Sequence, residues 1–528
     1  MKILLTTLNA KYVHSNLALR YLYETGRRAG LSADQLRMQE FTINNESGYV
    51  YGEILRGGWD LVCFSCYIWN IRQIRDLTAD LKKARPELVI LLGGPEVSYD
   101  AEDFLTANPH IDGILRGEGE AAFHRLCERL LTADTAAADD PSGRGAAGPL
   151  IKGCLSGLSS VVWRDGVLIR DNGPGEALEM AELPFPYFHV PPAADKVVYY
   201  ESSRGCPYRC SYCLSSLEKT IRPLPLERTL SELAWFLDRG VKQVKFIDRT
   251  FNFDRQRAKA IWQFLIDHDN GITNFHFEIC AELLDDSCLK VIAAARRGLF
   301  QFEIGIQSCS GQTLEAVDRR GDVDLTLKRV GQLVGARNSH IHVDLIAGLP
   351  YEDYETFGKS FERVYALGAE NLQLGFLKLL KGTRIRRQAD QFGYLFRDYA
   401  PYQVIASRWL SPLQMERLSM IETVLELYHN KGGFSRTLEF LTGEAFGGRA
   451  FDFYEALASF FYDSGFQHRS HKKEDLYRIL LLFAASLRPE SGDEWKERAR
   501  YPLMEDLEET MNFDAVKKFY KKGWELHG

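Results

Sequence analysis

Short apolar runs alternate with amphipathic helical stretches twice along this chain, and that alternation limits its fold more than any other feature. In residues 1–131, KILLTTL, DLVCFSC and LVILLGG read as buried strands bounded by turn residues, and NLALRYLYETGRRAG carries apolar residues at helical spacing before a terminal glycine. A β-α-β-α-β order predicts a doubly wound, Rossmann-like parallel sheet with helices on both faces. Ligands on such sheets sit beyond the carboxyl ends of the strands. A second series runs from 196 to 395, with VVYYESS, QVKFID, NFHFEIC, LFQFEIGI, HIHVDLIAG and NLQLGFLK as strands. Six β/α units predict a partial, open (βα)6 barrel whose functional groups gather at the strand C-termini. Between the two series, residues 132–195 read as a linker, rich in Ala, Asp, Gly and Pro over 132–149, followed by a hairpin around Asp165-Gly166 and a proline-punctuated connector. Beyond 396 the strand pattern gives way to amphipathic helices, so residues 396–528 are expected to form a helical domain of unread role. The lysine-rich end, KKFYKKGWELHG, is expected to be a solvated face.

At 528 residues the chain exceeds one ordinary core. A hydrophobic share of 45% with a net charge of −7 is that of a globular protein without general attraction for nucleic acid or anionic membranes. No apolar run approaches the ~20 residues that span a bilayer. The N-terminus reads as a strand and not as a signal peptide, so a cytoplasmic location is expected. There the ten cysteines are thiols or metal ligands, since disulfides do not persist.

Three of them stand in Ser203-Arg204-Gly205-Cys206-Pro207-Tyr208-Arg209-Cys210-Ser211-Tyr212-Cys213, just after the first strand of the second series. With residues independent, this C-x3-C-x2-C spacing arises by chance roughly 0.004 times per chain. Thiolates are soft ligands suited to iron–sulfur clusters and to zinc. Most [4Fe–4S] clusters use four cysteines, and structural zinc sites want four ligands. Here a compact loop offers three, with no fourth Cys or His at short spacing. A cluster with one open iron is the favoured reading; a zinc ion with a distant fourth ligand, and three plain core or loop thiols, are the alternatives.

With an aromatic residue, Tyr212, before the last cysteine, the segment resembles the signature of the radical S-adenosylmethionine (SAM) superfamily. The resemblance implies that Cys206, Cys210 and Cys213 hold a [4Fe–4S] cluster whose open iron chelates SAM. One electron then cleaves SAM to a 5′-deoxyadenosyl radical, drawn from an external electron donor. It also implies roles along the barrel. Asp248 stands where the SAM amino group is recognised, although the family's Gly-Gly-Glu form is absent. Glu303, Gln307 and Ser308 fall where ribose and methionine groups are held. Arg319, with Arg320 nearly as good, stands where a carboxylate is bound. Gly348 matches the motif near adenine, and Leu379 the sixth-strand backbone contact. The plain alternative for each carboxylate or arginine is a barrel-end salt bridge.

Upstream, a strand ending in Ser65, the strand ending Gly93-Gly94, and the DGILRGEGE segment with Gly117 and Glu118 resemble the cobalamin-binding domain fused ahead of many radical SAM domains. Ser65, Gly93 and Gly94 are implied to line the cleft for cobalamin. Gly117 and Glu118 are either part of that cleft or helix-capping chemistry. The loop Asn9–Asn16 departs from the family's Asp-x-His-x-x-Gly. His14 is present but Tyr12 and Leu17 replace the Asp and Gly, so His14 either ligates cobalt or, as we favour, caps the helix or faces the corrin without bonding. Asn9 lies in the same loop. Tyr67 and Trp69 are positioned to cover the open face of the corrin. Cys63 and Cys66 have C-x2-C spacing but straddle a buried strand end, which favours packing. Cys309 either faces the site or is a loop thiol.

The resemblance thus implies a cobalamin-dependent radical SAM enzyme that methylates an unactivated carbon of a small molecule or peptide. Radical cyclisation or rearrangement is the alternative within the family, and a non-catalytic cobalamin or SAM sensor the alternative outside it. The third, a zinc-dependent nucleic-acid protein, is disfavoured by the acidic balance.

Overall fold

The computed structural model describes residues 1–138, 147–218 and 220–525, with 135–138 and 491–493 traced by backbone alone. The first sheet has seven strands: β1 (Ile3–Asn9), β2 (Leu36–Thr42), β3 (Leu61–Ser65), β4 (Val89–Gly93), β5 (Gly113–Leu115), β6 (Val161–Asp165) and β7 (Leu168–Asp171), in the spatial order β2-β1-β3-β4-β5-β6-β7. Strands β1 to β5 are parallel, as the alternation requires. Leu4, Val62, Phe64, Ile90 and Leu92 fill one face, and their neighbours Ile3, Leu61, Val89 and Leu91 the other. A strand buried on both faces is apolar throughout, which is why these runs show no polar alternation.

Two expectations are corrected here. The Asp165-Gly166 hairpin is no free connector: β6 pairs antiparallel with β5 and β7 with β6, so the first sheet reaches residue 171. The segment read as a flexible linker, 132–149, is helical where described, in Glu120–Ala138 and Ala147–Leu155, while residues 139–146 lie outside the described residues. Alanine is the best helix former, and its abundance here carries the helix onward.

The second series gives β8 (Val198–Tyr200), a ribbon of β9 (Ser203–Arg204) with β10 (Arg222–Pro223), then β11 (Gln243–Phe246), β12 (Asn274–Glu278), β13 (Phe300–Gln307), β14 (His340–Ala347) and β15 (Asn371–Phe376). The barrel sheet is wholly parallel in the order β15-β14-β13-β12-β11-β8. It is therefore open between β15 and β8, a partial (βα)6 barrel. Along β13, Phe300, Phe302, Ile304 and Ile306 are buried under the helices while Gln301, Glu303, Gly305 and Gln307 are part-exposed. Residue 395 onward adds one small ribbon, β16 (Leu395–Phe396) with β17 (Val404–Ala406), and then helices from Pro412 to Lys522. These share one core with the barrel: Phe451 packs on Phe357 and Phe361 of a barrel helix. The terminal lysine-rich helix is not only a solvated face, because Phe519 is buried against Trp524 with the Arg478 guanidinium 4.4 Å from its ring. Among the described residues no helix is long and apolar enough to cross a membrane.

Candidate functional site

The cysteine loop leaves the C-terminal end of β8 and is held on both sides. Gly205 has φ +92, and a Cβ there would lie 2.2 Å from the Thr220 carbonyl, so only glycine makes this entry turn. Cys213 N–H donates to Cys210 O (3.1 Å), Ser211 N–H to Val317 O (2.8 Å), and Ser211 O accepts from Ile385 N–H (3.0 Å). The loop thereby presents Cys206, Cys210 and Cys213 to one cavity of about 180 Å3 at the barrel mouth. Thr250 Oγ1 is 3.4 Å from Cys206 Sγ, and Arg319 donates to Cys210 Sγ (3.8 Å) and to the Gly305 carbonyl. The Tyr212 hydroxyl is buried in this cavity and has no partner among the described residues.

Glu303, Gln307 and Arg319 line the same cavity. Burial works against ionisation of Glu303, but His276 (3.0 Å) and Lys245 (2.9 Å) overcome it and hold its carboxyl well below the usual range. Gln307 has φ +73 at a register shift between β13 and β14, a bulge that re-aims its side chain, and its buried Oε1 is unpartnered among the described residues. Gly305 makes room for it: a Cβ there would lie 2.0 Å from Gln307 Nε2.

Four expected site residues lie elsewhere. Asp248 is fully buried and accepts from Ser202 N–H (2.8 Å), Ser202 Oγ (2.7 Å) and Ser203 Oγ (2.6 Å), so its carboxylate anchors the base of the cysteine loop and does not line this cavity. Ser308 is buried and donates to Glu352 (2.5 Å). Gly348, at φ +96, gives its carbonyl to Tyr394, and Leu379 is buried core with its N–H on Tyr402 O. Cys309 bonds Ser360 and does not line the cavity. Arg320 lies behind Arg319, in a neighbouring depression. Residues the sequence reading passed over are Arg249, Thr250, Glu278, Cys280 and Asp344, which line the cavity. Their signal was position: Glu278–Cys280 and Gly305–Gln307 are two-residue steps at neighbouring strand ends.

A second cleft, of about 460 Å3, opens beyond the C-terminal ends of β3, β4 and β5. Ser65, Tyr67, Gly93, Gly94, Gly117 and Glu118 line it, joined from the barrel side by Gly205 and Arg249. The glycines differ in kind. Gly94 has φ +99, and a Cβ would lie 2.5 Å from Cys66 O, so the fold itself needs it. Gly93 has an ordinary conformation, and its Cβ would meet only Leu115 O at 3.5 Å, so its missing side chain leaves open space in the cleft. Gly117 has φ +67 with open surroundings. Such a cradle fits a large planar ligand approached by backbone, as cobalamin is. Cys63 and Cys66 are unpaired buried thiols pushed up by burial, Cys63 to about 12, as packing residues are.

The loop after β1 does not line this cleft. His14 Nδ1 is 2.7 Å from Tyr199 OH, and burial, aided by Lys11 and Lys245, lowers its pKa. Its ring is committed to the barrel's open edge, where Val197 N–H donates to Val13 O. The helix cap is Asn16, whose side chain accepts from Leu19 N–H. Asn9 is buried, bonding Glu40 and His14 O. Trp69 stacks on Tyr67 (4.4 Å, 5°) with its indole N–H on Leu8 O, outside the cleft lining.

Glu118, which lines the cleft as expected, has a second task. It pairs with Arg222 and with Arg204 (3.0 Å), and Arg204 also holds Glu120 (2.6 Å) and Glu201 (2.9 Å). This clasp ties the first sheet to the β9–β10 ribbon flanking the cysteine loop. Arg249 lines both cavities, its charge favoured by the nearby Glu278 carboxylate. The two cavities therefore meet at one side chain.

Comparison with known proteins agrees with this division. Residues 3–127 match the B12 binding domain, residues 200–364 the radical SAM superfamily, and residues 390–525 a protein family of unknown function, DUF4080. The chain is 24% identical over 441 residues to the cobalamin-dependent radical SAM methyltransferase TokK of Streptomyces tokunonensis, covering 76% of this chain and 61% of that protein. It is 28% identical over 320 residues to the 2-(S-pantetheinyl)-carbapenam-3-carboxylate methyltransferase of Streptantibioticus cattleyicolor, covering 56% of this chain and 44% of that protein. This chain thus spans less than two thirds of the length of either relative. Its fold is that of the cobalamin-dependent SAM radical enzyme OxsB (TM-score 0.65, 14% identity, 99% of this chain and 84% of that one). It is also that of the radical SAM methyltransferase TsrM of Kitasatospora setae (TM-score 0.60, 16% identity, 79% and 83%). The chain thus carries a B12-binding domain over residues 3–127 followed by a radical SAM domain over residues 200–364, with the cysteine loop near the start of the second, where the two cavities adjoin.

Proposed function

We propose that this protein is a cobalamin-dependent radical SAM methyltransferase acting on an unactivated carbon of a small molecule or peptide. The observation that carries the reading is the junction at Arg249, where a cavity lined by three cluster-type cysteines adjoins a glycine-lined cleft on the first sheet. TokK and TsrM, named as methyltransferases, support it. In this reading Cys206, Cys210 and Cys213 hold a [4Fe–4S] cluster, and the cleft of Ser65, Gly93 and Gly94 holds cobalamin. When bound, the cluster supplies the electron that cleaves SAM to a carbon-centred radical, and cobalamin supplies a transferable methyl group. The protein's own residues do the rest. Arg319 places a donor beside Cys210 and lowers the cost of negative charge on its sulfur, while Thr250 Oγ1 stands 3.4 Å from Cys206 Sγ. Glu303, fixed ionised by Lys245 and His276, and Gln307, aimed by its bulge, offer acceptors to the hydroxyl and amino groups of SAM. Arg249 sets a positive charge where the two cavities meet. Tyr208, Tyr212 and Ile279 wall the cavity against water.

The test is anaerobic reconstitution with iron, sulfide, cobalamin, SAM and a reductant, with cell extract supplying substrate. Both 5′-deoxyadenosine and S-adenosylhomocysteine are expected. Formation of 5′-deoxyadenosine alone would replace methylation by rearrangement or cyclisation. Bound cofactors with neither product would make the protein a sensor. Cys206→Ala is expected to abolish the cluster's visible absorbance.

A further inference from the structure

A three-cysteine loop leaves one iron of a [4Fe–4S] cluster without a thiolate, yet the cavity that receives it is lined by four cysteines. Of the ten thiols, Cys206, Cys210, Cys213 and Cys280 face it. Cys280 follows the C-terminal end of β12, 67 residues after Cys213, and its backbone is held in place by hydrogen bonds. Its N–H donates to Asn252 Oδ1 (2.9 Å), and its carbonyl accepts from Asn252 Nδ2 (2.9 Å), so one buried amide grips the backbone of residue 280 from both sides. Its sulfur is 3.0 Å from the hydroxyl of Tyr208, which stands between Cys206 and Cys210 in the cysteine loop. Arg319 approaches both Cys210 and Cys280. The buried, unpartnered Tyr212 hydroxyl and Gln307 Oε1, aimed into the same space, mark it as a place for a bound group and not a packed core.

Resting on the proposed function, we infer that Cys280 is a fourth cluster ligand, closing the open iron until SAM arrives. Four thiolates are the usual complement of such a cluster. The step is a ligand exchange without change of oxidation state. As the Cys280 sulfur bonds iron, its proton passes to a carboxylate, for which Glu282 Oε1, 3.7 Å from the sulfur, is placed. When SAM's amine and carboxylate take the iron, that Fe–S bond breaks and the thiolate recovers a proton. A closed resting cluster resists oxygen and adventitious ligands, and couples the opening of the iron to the arrival of SAM.

The test uses the full chain reconstituted anaerobically with 57Fe and examined by Mössbauer spectroscopy without SAM, comparing the wild type with Cys280→Ala, Cys280→Ser and, as a thiol control, Cys309→Ser. The wild type and Cys309→Ser are expected to show four equivalent, sulfur-ligated iron sites. In Cys280→Ala and Cys280→Ser one iron in four is expected to separate as a distinct subsite. Adding SAM to the wild type should produce a distinct subsite too, and SAM should bind several-fold more tightly to Cys280→Ala, which has no thiolate to displace. A wild-type cluster already showing the distinct iron without SAM, or Cys280→Ala spectra identical to wild type, would overturn the assignment. Absence of any cluster absorbance in the wild type would overturn the proposed function and this inference with it, whereas loss of the cluster in Cys206→Ala but not in Cys280→Ala separates the two.

Discussion

Gly93 and Gly94 are neighbours at one strand end, yet they answer to different forces. Replacing Gly94 by Ala forces a Cβ to 2.5 Å from the Cys66 carbonyl at a φ of +99, so the domain itself should suffer, with a lowered thermal midpoint. A Cβ on Gly93 would meet only one backbone oxygen, at 3.5 Å, so a leucine there is expected to extend into the cleft instead. Gly93→Leu is therefore expected to keep the wild-type thermal midpoint within about 0.5 kcal/mol of stability while losing bound cobalamin, read by absorbance after reconstitution. Equal cobalamin retention in both variants would remove the cleft from consideration. The sequence displayed the glycine pair but not this division, because a glycine's reason lies in what its absent Cβ would touch. Asp248 shows the converse. Its place after a strand suggested ligand contact, but three donors from Ser202 and Ser203 had already claimed its carboxylate, and Ser202 is distant in sequence. Partners from afar leave no local mark, whereas the cysteine loop was legible because its three ligands lie within eight consecutive residues.

Strands were legible because burial writes itself in composition. Strands β11, β13 and β14 carry part-exposed polar residues between buried apolar ones, and the first sheet's runs are apolar on both faces. The hairpin β6–β7 was recognised as a hairpin, but its attachment to β5 depends on pairing across some fifty residues, which periodicity does not report. Between elements, buried polar ties hold the site. Glu352, after β14, accepts from Ser308 at the end of β13 (2.5 Å) and from Ser360 of the following helix (2.9 Å). Burial pushes its carboxyl from 4.5 up to about 7, against the two hydroxyls that lower it. The native state then binds a proton that the unfolded chain has lost, so this group's contribution to stability falls as pH rises from about 4.5 to about 7 and is level above that. The full shift corresponds to at most about 3.5 kcal/mol. Glu352→Gln is expected to flatten that part of the pH dependence, raising the thermal midpoint at pH 8 relative to wild type and leaving pH 5 nearly unchanged. An unaltered pH profile would mean that Glu352 ionises at its ordinary pKa.

At the scale of the whole molecule, the reaction proposed needs the glycine cleft and the cysteine cavity held in one register, and two polar ties do this from opposite sides. One is the Glu118 clasp to Arg204 and Arg222. The other is Lys381, which follows β15 and reaches Asp100 (2.8 Å) and Glu96 (3.5 Å) behind β4, where Tyr402 also donates to Glu96. Lys381 and Glu96 are largely withdrawn from water, with 16% and 3% of their side chains exposed, so salt should screen them little. Removing Glu118 leaves Arg222 without its carboxylate, and removing Lys381 leaves two carboxylates without their cation, each at a cost of roughly 1.5–3 kcal/mol in docking. The ties join different segments and share no partner, so their effects should add. Glu118→Gln and Lys381→Met are each expected to leave hydrogen exchange in the C-terminal helices unchanged while speeding it in their own contact segments, 117–120 with 203–205 for one and 95–100 with 402–404 for the other. The double variant should show both changes and a loss of methyl transfer greater than the loss of 5′-deoxyadenosine, because SAM cleavage needs only the barrel whereas transfer needs the first sheet in place. Parallel loss of both products would mean that the clasp acts on the cysteine loop itself and not on the alignment of the two cavities.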